Sequence, residues 1–130
     1  MKLSVLDSRP LANKGVDCPI YDPRTGAPTK AGITMLGADS DVAKNKWKEI
    51  NERHRLDGKP VSPQQMDDDA KEVLVACATG WHDVDDEGTG KALAFSADNL
   101  RAALSIPEIY KQIATFHATR TNFLGNASAT

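Results

Sequence analysis

Residues 15–37 contain Pro19, Pro23, Gly26, Pro28, Gly32 and Gly37, and this punctuation excludes a helix of useful length from that stretch. Extended chain remains possible there, and two short apolar runs, 16–21 and 32–36, read as strands. Between them Asp22-Pro23-Arg24-Thr25-Gly26 has turn chemistry: proline restricts φ and glycine tolerates positive φ. The expectation is a small β-hairpin over 16–36. Upstream, Leu3, Val5 and Leu6 precede Ser8-Arg9-Pro10, so residues 1–14 read as an arm or edge strand rather than a helix.

Helical periodicity begins after Gly37. Ser40 or Asp41 can cap the first helix, whose stripe is Ala43, Trp47, Ile50 and His54, with Gly58 and Pro60 as the stop. Trp47 reads as a core or subunit-contact residue rather than a ligand platform. The second helix has the clearest start: Ser62-Pro63-Gln64-Gln65 combines an N-cap serine, proline at the first helical position and glutamine at the third. Met66, Ala70, Val73, Leu74 and Cys77 keep helical spacing toward Gly80, which reads as the residue just past the helix end. Ser96 caps a third, short helix, and Ser105-Ile106-Pro107-Glu108 suggests a second capping box opening a fourth. The stripe of that fourth helix runs through Ile106, Ile109, Ile113, Phe116 and Phe123, with Arg120 filling the one remaining position, and Gly125 ends it. The expected fold is α+β and mostly helical, with about four helices and the N-terminal β-hairpin. It divides into an arm at 1–14, one domain at 15–125 and a loose tail at 126–130.

Such a length suits one domain with a core that needs neither metal nor disulfide. Two tryptophans, two tyrosines and three phenylalanines make that core modest, and the expectation is that a partner shares in its stability. A formal net charge of −2 gives no overall pull toward nucleic acid or membrane. The charge is nevertheless uneven: between 44 and 59 Lys44, Lys46, Lys48, Arg53, Arg55 and Lys59 stand against Glu49, Glu52 and Asp57, whereas Asp67, Asp68, Asp69, Glu72, Asp83, Asp85, Asp86 and Glu87 follow with Lys71 alone among them. The simplest reading is two solvated faces, and the alternative is mutual attraction within the molecule or between subunits. Asp67, Asp68 and Asp69 read as a solvated face that also complements the helix dipole. Cys18 and Cys77 lack metal-ligand or disulfide spacing, and Cys77 reads as a small buried hydrophobe. No long apolar segment marks a signal peptide or a membrane span, so the expected location is a reducing cytoplasm.

The stretch 79–99, TGWHDVDDEGTGKALAFSADN, is the most distinctive in the chain. Its acids start like a calcium loop, but Ala94 stands where the bidentate glutamate should be. Gly88-Thr89-Gly90-Lys91 lacks the spacing of a phosphate-binding loop and reads as a hairpin-like turn. His82 beside Asp83 is a poor general base because sequence neighbours rarely have the needed geometry. Neither His54, His82 nor His117 sits in a catalytic pattern, so no enzyme, cofactor or metal is expected. Nucleic-acid binding has only the basic first helix behind it.

Thr79-Gly80-Trp81, the acidic loop, Phe95-Ser96-Ala97-Asp98-Asn99, the break at Pro107 and Arg120-Thr121-Asn122-Phe123-Leu124 together resemble the tail assembly chaperones of long-tailed bacteriophages and prophages. Pro19-Ile20-Tyr21-Asp22-Pro23-Arg24-Thr25-Gly26 resembles the hairpin of the same group, and the likeness spans about residues 15–125. The resemblance implies a non-enzymatic protein of the infected bacterial cytoplasm that keeps the tape measure protein soluble, helps recruit tail tube protein and forms homo-oligomers. Partner-binding or family-motif candidates are Trp47, Gly80, Trp81, Phe95, Ser96, Asn99, Arg120, Asn122 and Phe123. The alternatives are a minor tail or connector protein of the particle and, with less support, a nucleic-acid-binding regulator.

Overall fold

The computed structural model describes residues 1–125, so the tail expected at 126–130 lies outside the described residues. The fold is α+β, as the sequence predicts. In chain order it comprises α1 (Arg9–Lys14), β1 (Val16–Asp22), β2 (Ala27–Met35), α2 (Asp41–Asp57), α3 (Pro63–Cys77), β3 (Ala78–His82), α4 (Ala97–Leu104) and α5 (Pro107–Ala118). Short 3-10 turns at Leu3–Leu6 and Arg120–Phe123 flank this set.

The hairpin forms with a tighter turn than expected, because β2 begins at Ala27 rather than Gly32. Asp22 is the reason: its backbone oxygen accepts from Gly26 N at 2.8 Å, its carboxylate accepts from Arg24 N at 2.9 Å, and Gly26 takes φ 74°. A third strand then joins on the other side of β2, giving the antiparallel order β1-β2-β3. This corrects the reading of Gly80 as a helix-terminating residue. Ala78 is already extended (φ −86°, ψ 132°), Gly80 pairs with Thr34 and Trp81 with Ile33. The open edge of β2 offers a ladder that no local cap can match, so tertiary pairing ends α3 early.

Residues 1–14 are likewise corrected. Pro10 opens a short helix rather than blocking one, and Ala12 and Ser8 are buried. Gly37 N donates to Ala12 O at 3.0 Å, which fastens α1 to the end of β2. At the other end of the chain the expected fourth helix stops at Ala118, not Gly125. Phe123 is reached by the separate 3-10 turn and is 2% exposed, with its ring edge-on to Phe116 at 5.7 Å. The capping box expected at Ser105 is also absent. Ser105 Oγ donates back to Ala102 O, and Ile106 occupies the N-cap of α5 without a side-chain bond. By contrast Ser40, Ser62 and Ser96 all accept from the backbone N–H three residues on, as expected of N-caps.

The core joins one sheet face (Cys18, Ile20, Ile33, Met35) to Ala43 and Ile50 of α2, Val73, Leu74 and Cys77 of α3, Leu100 and Leu104 of α4, and Ile113 of α5. Burial pushes the Cys18 and Cys77 thiols up to about 12 and about 11, so both are protonated, unreactive hydrophobes at neutral pH. The opposed charges of α2 and α3 meet within the molecule. Arg53 and Lys46 both reach Glu72, at 2.8 and 3.1 Å, and hydrogen bonding to Arg53 holds that carboxyl down at about 2. Asp69 is not part of a solvated face: it is 3% exposed and receives His54 Nε2 at 2.6 Å and Gln65 Nε2 at 2.8 Å. The packing of α3 against α2 turns this position inward.

Candidate functional site: a cleft between the acidic loop and α4

The stretch 79–99 builds a single structure. Trp81 projects from β3 and donates from Nε1 to Leu93 O at 2.8 Å, while its ring meets Phe95 edge-on at 5.3 Å and 86°. Between these anchors the chain doubles back on itself. Leu93 N donates to Val84 O, Asp85 bridges to Ala92, and Asp86 N donates to Lys91 O at 2.7 Å. The Asp86 carboxylate is engaged locally, accepting from Gly88 N at 2.8 Å and Thr89 N at 2.9 Å, and Gly90 takes φ 71° to close the turn. Ser96 then caps α4 through Asn99 N, and Asn99 Nδ2 reaches back to Ala94 O at 2.9 Å. Loop and helix are thus held at a fixed separation.

That separation leaves an open cleft of about 610 Å³. Trp81, Val84 and Leu93 line its loop side, Ala102, Ala103 and Ile106 its helix side, and Asp85, Asp86 and Glu87 its lip. Ile106 is 48% exposed because it caps α5 rather than lying on the buried stripe assigned to it from periodicity. The small side chains of Ala102 and Ala103 keep the wall low. An apolar floor with an anionic edge can hold an apolar side chain while attracting nearby cations. Among the described residues no group of three or more His, Cys, Asp or Glu is placed to hold a metal ion.

The predicted site residues separate into two sets. Trp81 and Asn99 line the cleft and Phe95 and Ser96 brace them, whereas Gly80 lies in β3 opposite Thr34. Arg120, Asn122 and Phe123 instead fasten the C-terminal turn: Arg120 Nε donates to Asp39 at 2.7 Å, Asn122 Nδ2 to Phe116 O at 3.1 Å, and Phe123 fills the space beside Gly37. Trp47 lies elsewhere. It is 40% exposed and borders a smaller cleft of about 260 Å³ with Ala70, Leu74, Tyr110 and Ala114. Val84 and Leu93 escaped the sequence reading and Ile106 is read there only as a stripe position, since the association of these residues with Ala103 depends on the loop folding onto α4.

His82 stands beside the site on the exposed sheet face. Its Nδ1 lies 2.8 Å from Asp83 and its Nε2 2.9 Å from Asp17 on β1. With a carboxylate at each nitrogen both must donate, so Asp83 and then Asp17 raise the imidazole above its ordinary value and favour the cation. Both ring nitrogens are thus already engaged by carboxylates of the same chain. The bridge crosses above Gly32, where a Cβ would stand 2.5 Å from both Asp17 Oδ1 and His82 Nε2. No helix among the described residues is long and apolar enough to cross a membrane. No family model, curated protein or solved structure matches the chain.

Proposed function

We propose that this chain is a non-enzymatic tail assembly chaperone of a long-tailed bacteriophage or prophage. In the cytoplasm of the infected host it would hold an apolar helical segment of the tape measure protein and assist the tail tube protein in assembling around it. The observation that carries this reading is the coincidence of site and motif: Trp81 and Asn99, two of the residues resembling that family, line an open cleft, and Phe95 and Ser96 brace them. A cleft of this form suits side chains projecting from one face of a helix. The nucleic-acid reading loses support, because Lys46, Arg53 and Arg55 of α2 are already paired with Glu72, Glu49 and Glu52.

Co-expression with a candidate tape measure protein from the same genome tests the proposal. The parent chain should raise the soluble fraction of that protein and co-purify with it, and Val84→Glu or Ile106→Glu should abolish both effects while leaving the chain folded. An unchanged soluble fraction with no complex refutes the proposal. Recovery of the chain from purified mature particles would instead support a structural tail or connector component.

A further inference from the structure

The cleft has an anionic lip with no cation of its own. Among the described residues Asp85 and Glu87 are exposed and make no ion pair. Elsewhere α2 presents the converse surface. Lys44 and Lys48 are exposed, neither has an acid at ion-pair distance among the described residues, and Trp47 between them is 40% exposed. The two lysines lie one helical turn apart, about 6 Å between Cβ atoms. Asp85 and Glu87, two residues apart, are separated by at most about 7 Å along the chain. An exposed aromatic ring flanked by two free cations therefore matches an apolar floor rimmed by two free anions in charge, spacing and polarity. The two surfaces border different clefts, so they do not meet within one molecule.

We propose that the Lys44-Trp47-Lys48 face of a second copy occupies the acidic cleft when no other partner is present. The contact is heterologous, since the face on α2 and the cleft beside α4 are different patches, and it leaves one of each unused at the ends of every dimer. Association then continues head to tail instead of stopping at a symmetric pair. On the functional reading above, on which this last step rests, the tape measure segment displaces a neighbouring copy from the cleft, so self-association regulates access to the binding site.

Sedimentation or light scattering of the purified protein from about 10 µM to about 500 µM, a range in which weak contacts populate, tests the contact directly. The average mass should rise continuously past that of a dimer, and raising salt from about 50 mM to about 500 mM should lower it. K44E/K48E and D85K/E87K should each weaken association roughly tenfold or more without changing far-UV dichroism or thermal midpoint, because all four side chains are exposed. Mixing the two variants should restore association, since each supplies the complement the other lacks. A parent chain that stays monomeric, a dimer indifferent to both double variants, or mixed variants that remain apart would overturn the proposal. The two readings fail separately: a monomeric chain that still solubilises the tape measure protein sinks only self-association, and a self-associating chain that captures no tape measure protein sinks only the chaperone reading.

Discussion

Replacing Trp81 by alanine measures how firmly the cleft is tied to the core. The ring is half-buried, with Phe95 at its edge and Leu93 O on its N–H. A side chain of this type buries roughly 150–250 Å² when fully enclosed, so half-burial contributes about 2 kcal/mol. The aromatic pair adds about 1 kcal/mol, and the hydrogen bond adds about 1 kcal/mol. Partial collapse and hydration of Leu93 O offset some of that total, leaving an expected loss of about 3 kcal/mol for Trp81→Ala. Trp81→Phe keeps most of the area and an aromatic edge but not the donor, and should cost about 1 kcal/mol. Urea unfolding followed by far-UV dichroism reads both values, with the denaturant slope unchanged in either variant. For a domain of this size the alanine variant should melt about 10 °C below the parent. A loss under about 1 kcal/mol for Trp81→Ala, or equal losses for both variants, would refute the assignment of Trp81 as the anchor. Near-zero loss combined with failed partner capture would make it a recognition residue.

Three further outcomes follow from other contacts. Asp69→Ala should cost about 2–3 kcal/mol, because His54 and Gln65 lose a shared buried acceptor. Burial pushes the Asp69 carboxyl up, but hydrogen bonds from His54 and Gln65 together bring it below its ordinary 3.8, so this contribution is present above 3.8 and lost as pH falls through the folded value. Denaturation of parent and variant at pH 6 and pH 3 should show the difference shrinking at the lower pH. For His82 the sign is opposite: its folded value is raised, so its contribution is complete below 6.5 and disappears as pH rises through the folded value. Gly32→Ala should force Asp17 and His82 apart and shift the imidazole titration downward, as NMR of the His82 ring protons would show. Gly37→Ala places a methyl 2.9 Å from Ala12 Cβ and 3.1 Å from the Phe123 ring, and should cost about 1–3 kcal/mol by thermal melting.

What the sequence could disclose depended on how local each determinant is. Ser40, Ser62 and Ser96 were legible because an N-cap needs only its own next three residues. Gly58 was legible for the same reason and adopts the left-handed conformation (φ 69°) expected after a helix. The turn at Asp86–Gly90 follows equally from adjacent residues. β3 was hidden because its existence depends on the edge of β2, more than forty residues earlier. Asp69 was misread because its partner, His54, is on another helix, and proximity to Asp67 and Asp68 suggested solvent. In the C-terminal segment helical spacing continues through Arg120 and Phe123, but Asp39 captures Arg120 and the space by Gly37 captures Phe123. The cleft was half visible: Trp81, Phe95 and Asn99 stand out by type, whereas Val84, Ala103 and Ile106 acquire meaning only once the loop is placed.

Asp39 joins the two ends of the described chain, accepting from Ser8 Oγ on one side and Arg120 on the other. Beside it Gly37 is wedged between Ala12 and Phe123. During synthesis, the hairpin and the α2–α3 pair emerge long before Phe123 exists, so α1 waits more than one hundred residues for its packing to be complete. Until then Gly37 and Ala12 lack their aromatic cover, and the nascent chain carries an unsealed apolar seam. Closure of this clasp therefore waits for residue 123 to leave the ribosome, and a nascent chain that stops short of it has its clasp open.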